Sequence, residues 1–253
     1  MEKIDKVSDD QNKLNIQDLI VLSTGSLSTE LGEKLESMEV YQLGKEHLGK
    51  KGDSSVVYIK HDDKHYLVDT GFANEGDTTP KNKEDNKNYL RFILGKIDLT
   101  FNDISGVFMT HWHHDHFGNL YLFPNAKLYF YDPDNEIDIK QAAAGYGFDH
   151  MLPPIRLKKD DIFAGCRLLP TEGHMRNHCS LLCEFMGFKI CIAGDAIVSQ
   201  SYYDRNEPWP YNAGNLGKKK CIEAMDLIID VADIIIPGHG HAFQNYRTKN
   251  QSA

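Results

Sequence analysis

Thr110-His111-Trp112-His113-His114-Asp115-His116 gathers four imidazoles and a carboxylate into seven residues. Imidazole nitrogen and carboxylate oxygen are the ligands that zinc and other divalent ions accept. The cluster follows a short apolar run, 104–109, and leads into a predicted helix, so its ligands project from one strand-to-helix turn. Taken alone, the string could be a chance histidine-rich turn. Three further segments argue otherwise: Thr171-Glu172-Gly173-His174, Ala193-Gly194-Asp195 and Pro237-Gly238-His239-Gly240. Each places one His or Asp where a predicted strand gives way to a turn. Several strand ends delivering ligands to one rim is how a rigid scaffold builds a metal site. The candidate ligands are therefore His111, His113, Asp115, His116, His174, Asp195 and His239.

The elements that must position these residues are mostly strands. Period-two or short apolar runs predict strands at 18–23, 54–60, 65–69, 104–109, 127–131, 166–170, 179–185, 188–193 and 231–236. Residues 60–64 form a polar hairpin turn, and 76–88 read as a solvated loop. Tyr89, Phe92, Ile93 and Ile97 fall near helical spacing, and a second helix is expected over 217–230. Residues 132–160 read as a long irregular connection, within a 131–165 insertion expected on the substrate side, because long connections in compact domains often bind ligands. No linker or repeat interrupts the chain, so 1–253 reads as a single domain. Strand groups with helices between them point to an α/β (α+β) fold, two packed sheets with helices outside.

Composition narrows the function classes. The 253 residues are 41% hydrophobic and 26% charged, enough for a buried core. A net charge of −9 counts against a nucleic-acid partner, which needs an exposed basic surface. Five cysteines without a regular framework predict free thiols in a reducing compartment. Cys179 and Cys183 flank apolar residues and read as a buried strand rather than a metal clip. The polar start of the chain lacks the apolar run of a secretory signal, and no stretch reaches the ~18 apolar residues of a membrane span. A cytoplasmic protein without a membrane partner is the expectation. Among the other histidines, His47, His61, His65 and His150 sit in polar surroundings and are expected at the surface. His114 should point away from the ligands, and His241 faces either pocket or solvent. Tyr146 and Phe148, with Tyr202, Tyr203, Trp209 and Tyr211, could wall a pocket or pack their own loops.

The order HxHxDH, a lone His, an Asp and a final His resembles the metallo-β-lactamase superfamily, and the likeness runs from Val68-Asp69-Thr70-Gly71 to His239. The resemblance implies an αββα sandwich of two mixed sheets with a dinuclear metal centre at one edge. It implies that His111, His113 and His174 hold one ion, that Asp115, His116 and His239 hold the other, that Asp195 bridges them, and that Asp69 supports the ligands. Zinc is the default, with manganese or iron also suited to such ligands. Two ions sharing a water lower its pKa enough to supply hydroxide near neutral pH. Asp115 would orient that hydroxide or carry a proton. His178, in Gly173-His174-Met175-Arg176-Asn177-His178, resembles the second histidine of the superfamily's GHxxxH pattern, and is expected to touch substrate or to support the ligands. A structural site would normally be closed by four ligands, often thiolates; seven N/O ligands favour a catalytic pair.

The resemblance is strongest to two subgroups. Acyl-homoserine lactonases share the spacing, with 58 residues from His116 to His174, 21 to Asp195 and 44 to His239. They carry a Tyr three positions after the bridging Asp, where this chain has Val198, so a tyrosine contact would have to come from Tyr202 or Tyr203. Cleavage of a small ester or lactone is the first expectation. The animal metallo-β-lactamase-domain-containing proteins, credited with ribonuclease activity, have segments like 116–124 and 231–240, which makes a phosphodiester hydrolase the alternative. Glyoxalase II ranks lowest, because only 14 residues follow His239, and an exported β-lactamase is disfavoured by the missing signal. A non-catalytic metal-binding sensor is a further alternative, against which the complete ligand set argues. A small molecule is the expected partner, and a homodimer is common in the superfamily.

Overall fold

The structure, a computed structural model of the chain, describes residues 14–24, 54–71, 80–210 and 216–247. Its first sheet runs β1 (Ile16–Ser23), β2 (Val56–His61), β3 (Lys64–Val68), β4 (Ile104–Met109), β5 (Lys127–Tyr131) and β6 (Ile155–Leu157), in that spatial order. β1 to β3 pair antiparallel and β3 to β6 parallel. The β2–β3 turn is Asp62-Asp63, both at positive φ, the conformation that a tight two-residue hairpin requires. The second sheet consists of β7 (Ile162–Phe163), β8 (Cys166–Pro170), β9 (Cys179–Phe185), β10 (Phe188–Gly194), β11 (Ile234–Pro237) and β12 (Phe243–Gln244). Only β10–β11 is a parallel pair there.

Side-chain alternation shows how the layers stack. Val57 and Ile59 of β2, Phe108 of β4, Leu181 of β9, and Ile190 and Ile192 of β10 share one core between the sheets. Their neighbours point the other way. Val56, Tyr58, Val107 and Met109 pack outside the first sheet with Leu90, Leu94, Phe123 and Phe148. Cys191 and Ala193 pack outside the second with Met225, Ile228 and Ile229. Strands buried on both faces must be covered on both faces. The covering helices are α1 (Pro80–Gly95) on the first sheet and, after the short α2 (His114–Phe117), α3 (Lys140–Tyr146) and α4 (Gln200–Arg205), α5 (Lys218–Val231) on the second. This is the expected αββα sandwich of two mixed sheets.

Several expectations need correction. The solvated loop over 76–88 is already helical from Pro80; Asn86 stands in the buried stripe with Leu90, Ile93 and Leu94, and its polarity masks the helical pattern. The connection over 132–160 is not irregular. It contains α3, a 3-10 turn and β6, and continues into β7, so it is the crossover between the two sheets. The strand expected over 231–236 is displaced, because α5 runs to Val231. The cysteines are not all free: Cys166 and Cys183 are bridged across the β8–β9 pair, where their Cα atoms stand 4.5 Å apart, while Cys179, Cys191 and Cys221 are buried thiols. His61 is buried, with Nδ1 2.8 Å from the Asn15 carbonyl. His65 is half-buried against Tyr58 and exchanges a 2.8 Å hydrogen bond with its hydroxyl. His150 is at the surface and His47 lies outside the described residues. No helix among the described residues is long and apolar enough to cross a membrane.

Candidate metal centre

Parallel pairing brings strand ends to one rim. β3 and β4 run parallel, so Asp69 and His111, which follow them, emerge on the same edge of the first sheet. β10 and β11 do the same for Asp195 and His239 in the second. Backbone bonds lock the two rims together: the amide of Cys179 donates to the Thr110 carbonyl at 2.9 Å, and that of Ser55 to the Gly238 carbonyl at 2.7 Å. His174 comes from the turn joining β8 to β9, while Asp115 and His116 come from α2, which starts one residue after His113.

All seven candidate ligands converge, in two groups whose ligand atoms lie within 4.8 Å of one another. In the first, His113 Nδ1 is 3.1 Å from His111 Nε2 and 2.8 Å from His174 Nε2, and Asp195 Oδ2 is 3.3 Å from His174 Nε2 and 3.8 Å from that of His111. In the second, Asp115 Oδ2 is 3.4 Å from His239 Nε2 and 3.9 Å from His116 Nε2. The other oxygen of Asp195, Oδ1, approaches this group, at 3.2 Å from His116 Nε2 and 3.5 Å from His239 Nε2. Nitrogens about 2.0–2.1 Å from a tetrahedral zinc stand about 3.3 Å apart, and these separations, from 2.8 to 3.9 Å, scatter around that value. Buried His116 Nε2 and Asp195 Oδ1 also make no aligned hydrogen bond. Orphaned buried polar atoms are costly, and here they point into the same space. The residues fit a pair of divalent ions.

The surrounding hydrogen bonds choose the tautomers. Asp69, at φ 57°, accepts the Thr110 amide on Oδ1 at 2.9 Å. Its Oδ2 accepts the Thr110 hydroxyl and His116 Nδ1–H, both at 2.7 Å. With its proton committed to Asp69, the Thr110 hydroxyl accepts His111 Nδ1–H at 3.0 Å. One carboxylate thus turns the Nε2 lone pairs of both His111 and His116 toward the centre. Thr70 reinforces the arrangement by donating its hydroxyl to the His116 carbonyl at 2.8 Å, and Asn119 clamps the carbonyls of Thr70 and Gly71.

His178 has no exposed surface. The Ser180 hydroxyl donates to the Ala193 carbonyl and accepts from Thr171, leaving Thr171 to accept His178 Nδ1–H at 2.9 Å. The ring lies tilted beside His111, with centroids 5.0 Å apart. Tyr203 is also buried, and its hydroxyl donates to Asn245 Oδ1 at 2.7 Å, which removes it as a substrate contact. Phe148 belongs to the core. Tyr146 and Tyr202 are half-buried, against Phe117 and Trp209, while Tyr211 lies outside the described residues. His114 is half-buried on α2 and His241 is exposed.

Charge follows burial and the carboxylates. Burial, with His116 nearby, holds His111 well below the usual imidazole pKa. Burial and then His174 bring His113 down to about 4. For His116 burial also disfavours charge, but Asp195, Asp69 and Asp115 outweigh it and hold the pKa well above the usual value. His239 is raised too, its burial outweighed chiefly by Asp195. Asp195 itself is held well below the ordinary carboxylate range, because His116, His239 and His174 overcome its burial.

Residues 49–239 match the family model for the metallo-β-lactamase superfamily. The chain belongs to the metallo-β-lactamase superfamily. Relatives of the chain include the UPF0173 protein YddR of Bacillus subtilis, 28% identical over 61% of this chain and 63% of that protein. Metallo-beta-lactamase domain-containing protein 1 of Xenopus laevis is 29% identical over 56% of each. The chain thus spans about three fifths of the length of these curated relatives. Among solved structures, a Thermotoga maritima protein assigned to the metallo-β-lactamases superposes with TM-score 0.60 at 21% identity, covering 90% of this chain and 98% of that one. A quorum-quenching N-acyl homoserine lactone hydrolase superposes with TM-score 0.52 at 20% identity, covering 74% and 79%. At such identities the structural likeness concerns the fold.

Sequence reading named Asp69 among the residues that aim the ligands but missed Thr110, Thr171 and Ser180. Thr110 adjoins the cluster and could have been found by asking what holds His111. Thr171 and Ser180 give no signal, because a buried hydroxyl relay has no spacing of its own.

Proposed function

We propose that this chain is a dinuclear metal-dependent hydrolase that cleaves a small ester or lactone. The observation carrying this reading is Asp195, a buried carboxylate with one oxygen directed to His111 and His174 and the other to His116 and His239. A carboxylate shared between two ligand groups is what a bridging ligand requires. His111, His113 and His174 would hold one divalent ion and Asp115, His116 and His239 the other, with zinc the first candidate. Such a pair supplies an acidified water and polarises the substrate oxygen.

The chain's own residues do the rest. Asp69 and Thr110 hold the Nδ1–H groups of His116 and His111, which aims the Nε2 atoms at the metal site. Asp115, at the base of α2 beside His239, can accept a proton from the attacking water and return it to the leaving oxygen. His178 steadies the ring of His111. The ester and lactone class is supported by the ligand spacing shared with the lactonases and by the acidic net charge, which counts against nucleic acid. With Tyr203 buried, Tyr202 is the remaining tyrosine on this turn for orienting a substrate oxygen.

The test combines metal content by mass spectrometry with turnover of a lactone, a thioester and a bis-nitrophenyl phosphodiester, for wild type and Asp195→Ala. About two ions per chain and a lactone or ester activity abolished by Asp195→Ala is the expected result. Activity that survives the substitution would overturn the mechanism, and turnover confined to the phosphodiester would move the substrate to the alternative class.

A further inference from the structure

Asp132 follows β5 and opens the crossover between the sheets, and its side chain is 0% exposed. Four groups hold the carboxylate. Oδ1 accepts the Glu136 amide at 3.0 Å and Asn177 Nδ2 at 3.1 Å. Oδ2 accepts the Ile137 amide at 3.1 Å and pairs with Arg156, whose Nη2 donates to the Ile137 carbonyl at 2.8 Å. Three of these partners belong to the crossover itself. The fourth does not: Asn177 sits three residues beyond His174 in the turn that delivers it to the metal centre.

That turn is tied at its base, where Thr171 Oγ1 meets His178 Nδ1 at 2.9 Å, and at Gly173, whose carbonyl accepts the Leu216 amide at 3.0 Å. The Thr171 amide reaches the His178 carbonyl at 3.0 Å, while the amides of Gly173 and His178 share the Met175 carbonyl at 3.4 Å each, near the limit of a hydrogen bond. Asn177 is nine-tenths buried, takes the left-handed φ of 57°, and donates its amide to Glu172 Oε1 at 3.0 Å. Its side chain therefore bolts the tip of the turn to a fully buried charge. The Arg176–Glu136 pair spans the same gap at 3.0 Å, but it is exposed and contributes little.

We propose that Asp132 is a positioning residue for His174, acting through Asn177, so that the crossover segment and the first ligand group are held as one unit. This rests on the metal-centre reading above. Asn177→Asp keeps the shape and the tolerance for positive φ, but removes the donor and sets two carboxylates together. Asn177→Gly keeps the backbone without the amide. In the full chain, zinc binding is followed by competition with a chromophoric chelator, and folding by circular dichroism.

The expected result is 10–100-fold weaker binding of one of the two ions in Asn177→Asp, the range usual for partners of metal ligands, with the other ion retained. A smaller loss of the same ion is expected in Asn177→Gly, and none in Arg176→Ala. A merely structural role would lower Tm and leave both ions bound. Folded Asn177 variants that hold both ions with wild-type affinity would overturn the coupling alone. Should Asn177→Asp fail to fold, Asn177→Gly decides. Wild type that binds no divalent ion would overturn the metal-centre reading and this inference with it.

Discussion

Asp69 shows how much a single carboxylate outside the ligand set can decide. It accepts from His116 directly and, through Thr110, sets the proton of His111. In Asp69→Asn the amide would face His116 with a donor, favouring the tautomer whose Nε2 carries the proton and cannot ligate. Zinc affinity measured by chelator competition should fall about 10–100-fold; wild-type affinity would contradict the tautomer argument. The imidazole charges predict a pH dependence of their own. His116 and His239 have raised pKa values and carry protons on the metal-free chain that must leave before Nε2 can bind an ion. Metal uptake near pH 7 should therefore release protons, and acidification should weaken binding by protonating His116 and His239 more fully, with His113 competing only as pH approaches about 4. Calorimetry in two buffers of different ionisation enthalpy counts the released protons. The ligands themselves were legible because metal chemistry limits them to a few residue types at recurrent places. Thr110, Ser180 and Asn177 were not, because a hydrogen-bond partner is defined by where it ends up.

Among the elements, strand ends matter more than strands. A side chain at Gly238 would fall within the carboxylate of Asp195, and one at Gly194, where φ is 51°, would come within 2.8 Å of Thr110 Cβ and Oγ1. Gly238→Ala must push Asp195 out of its shared position, so it should lose metal and activity together, whereas a distant glycine such as Gly95, with open space around it and no positive φ, should tolerate Ala without metal loss. Metal analysis of the two purified variants separates these outcomes. Most strand spans were readable to within a residue or two from apolar runs. The start of α1 and the strands of the crossover were not: the former hides behind a polar first half with Asn86 in its buried stripe, and β6 and β7, of three and two residues, are too short to show a period.

For the whole molecule, the metal rim depends on two sheets keeping their distance and angle. Phe108 lies in the inter-sheet core, fully buried and 5.3 Å from the ring of Phe163. Phe108→Ala should cost about 3–5 kcal/mol of stability, as large-to-small core changes do, visible as a lower midpoint in denaturant unfolding. If the ligands from both sheets share two ions, metal also joins the sheets in the folded state only. Zinc at 100 times its Kd should then stabilise the chelated protein by about 2.7 kcal/mol, and a Tm indifferent to zinc would contradict that linkage.

The sequence by itself determined the ligand types, their order and their attachment to strand ends, because coordination chemistry and period-two burial are written locally. It also carried the superfamily likeness, and with it the sandwich. Only the tertiary structure decided that His178 and Tyr203 are buried, that Cys166 meets Cys183, and that Asp132 reaches the His174 turn. Each of these joins residues from distant parts of the chain, and such a distance is set when parallel strand pairs bring their ends to one rim and two sheets close over a common core.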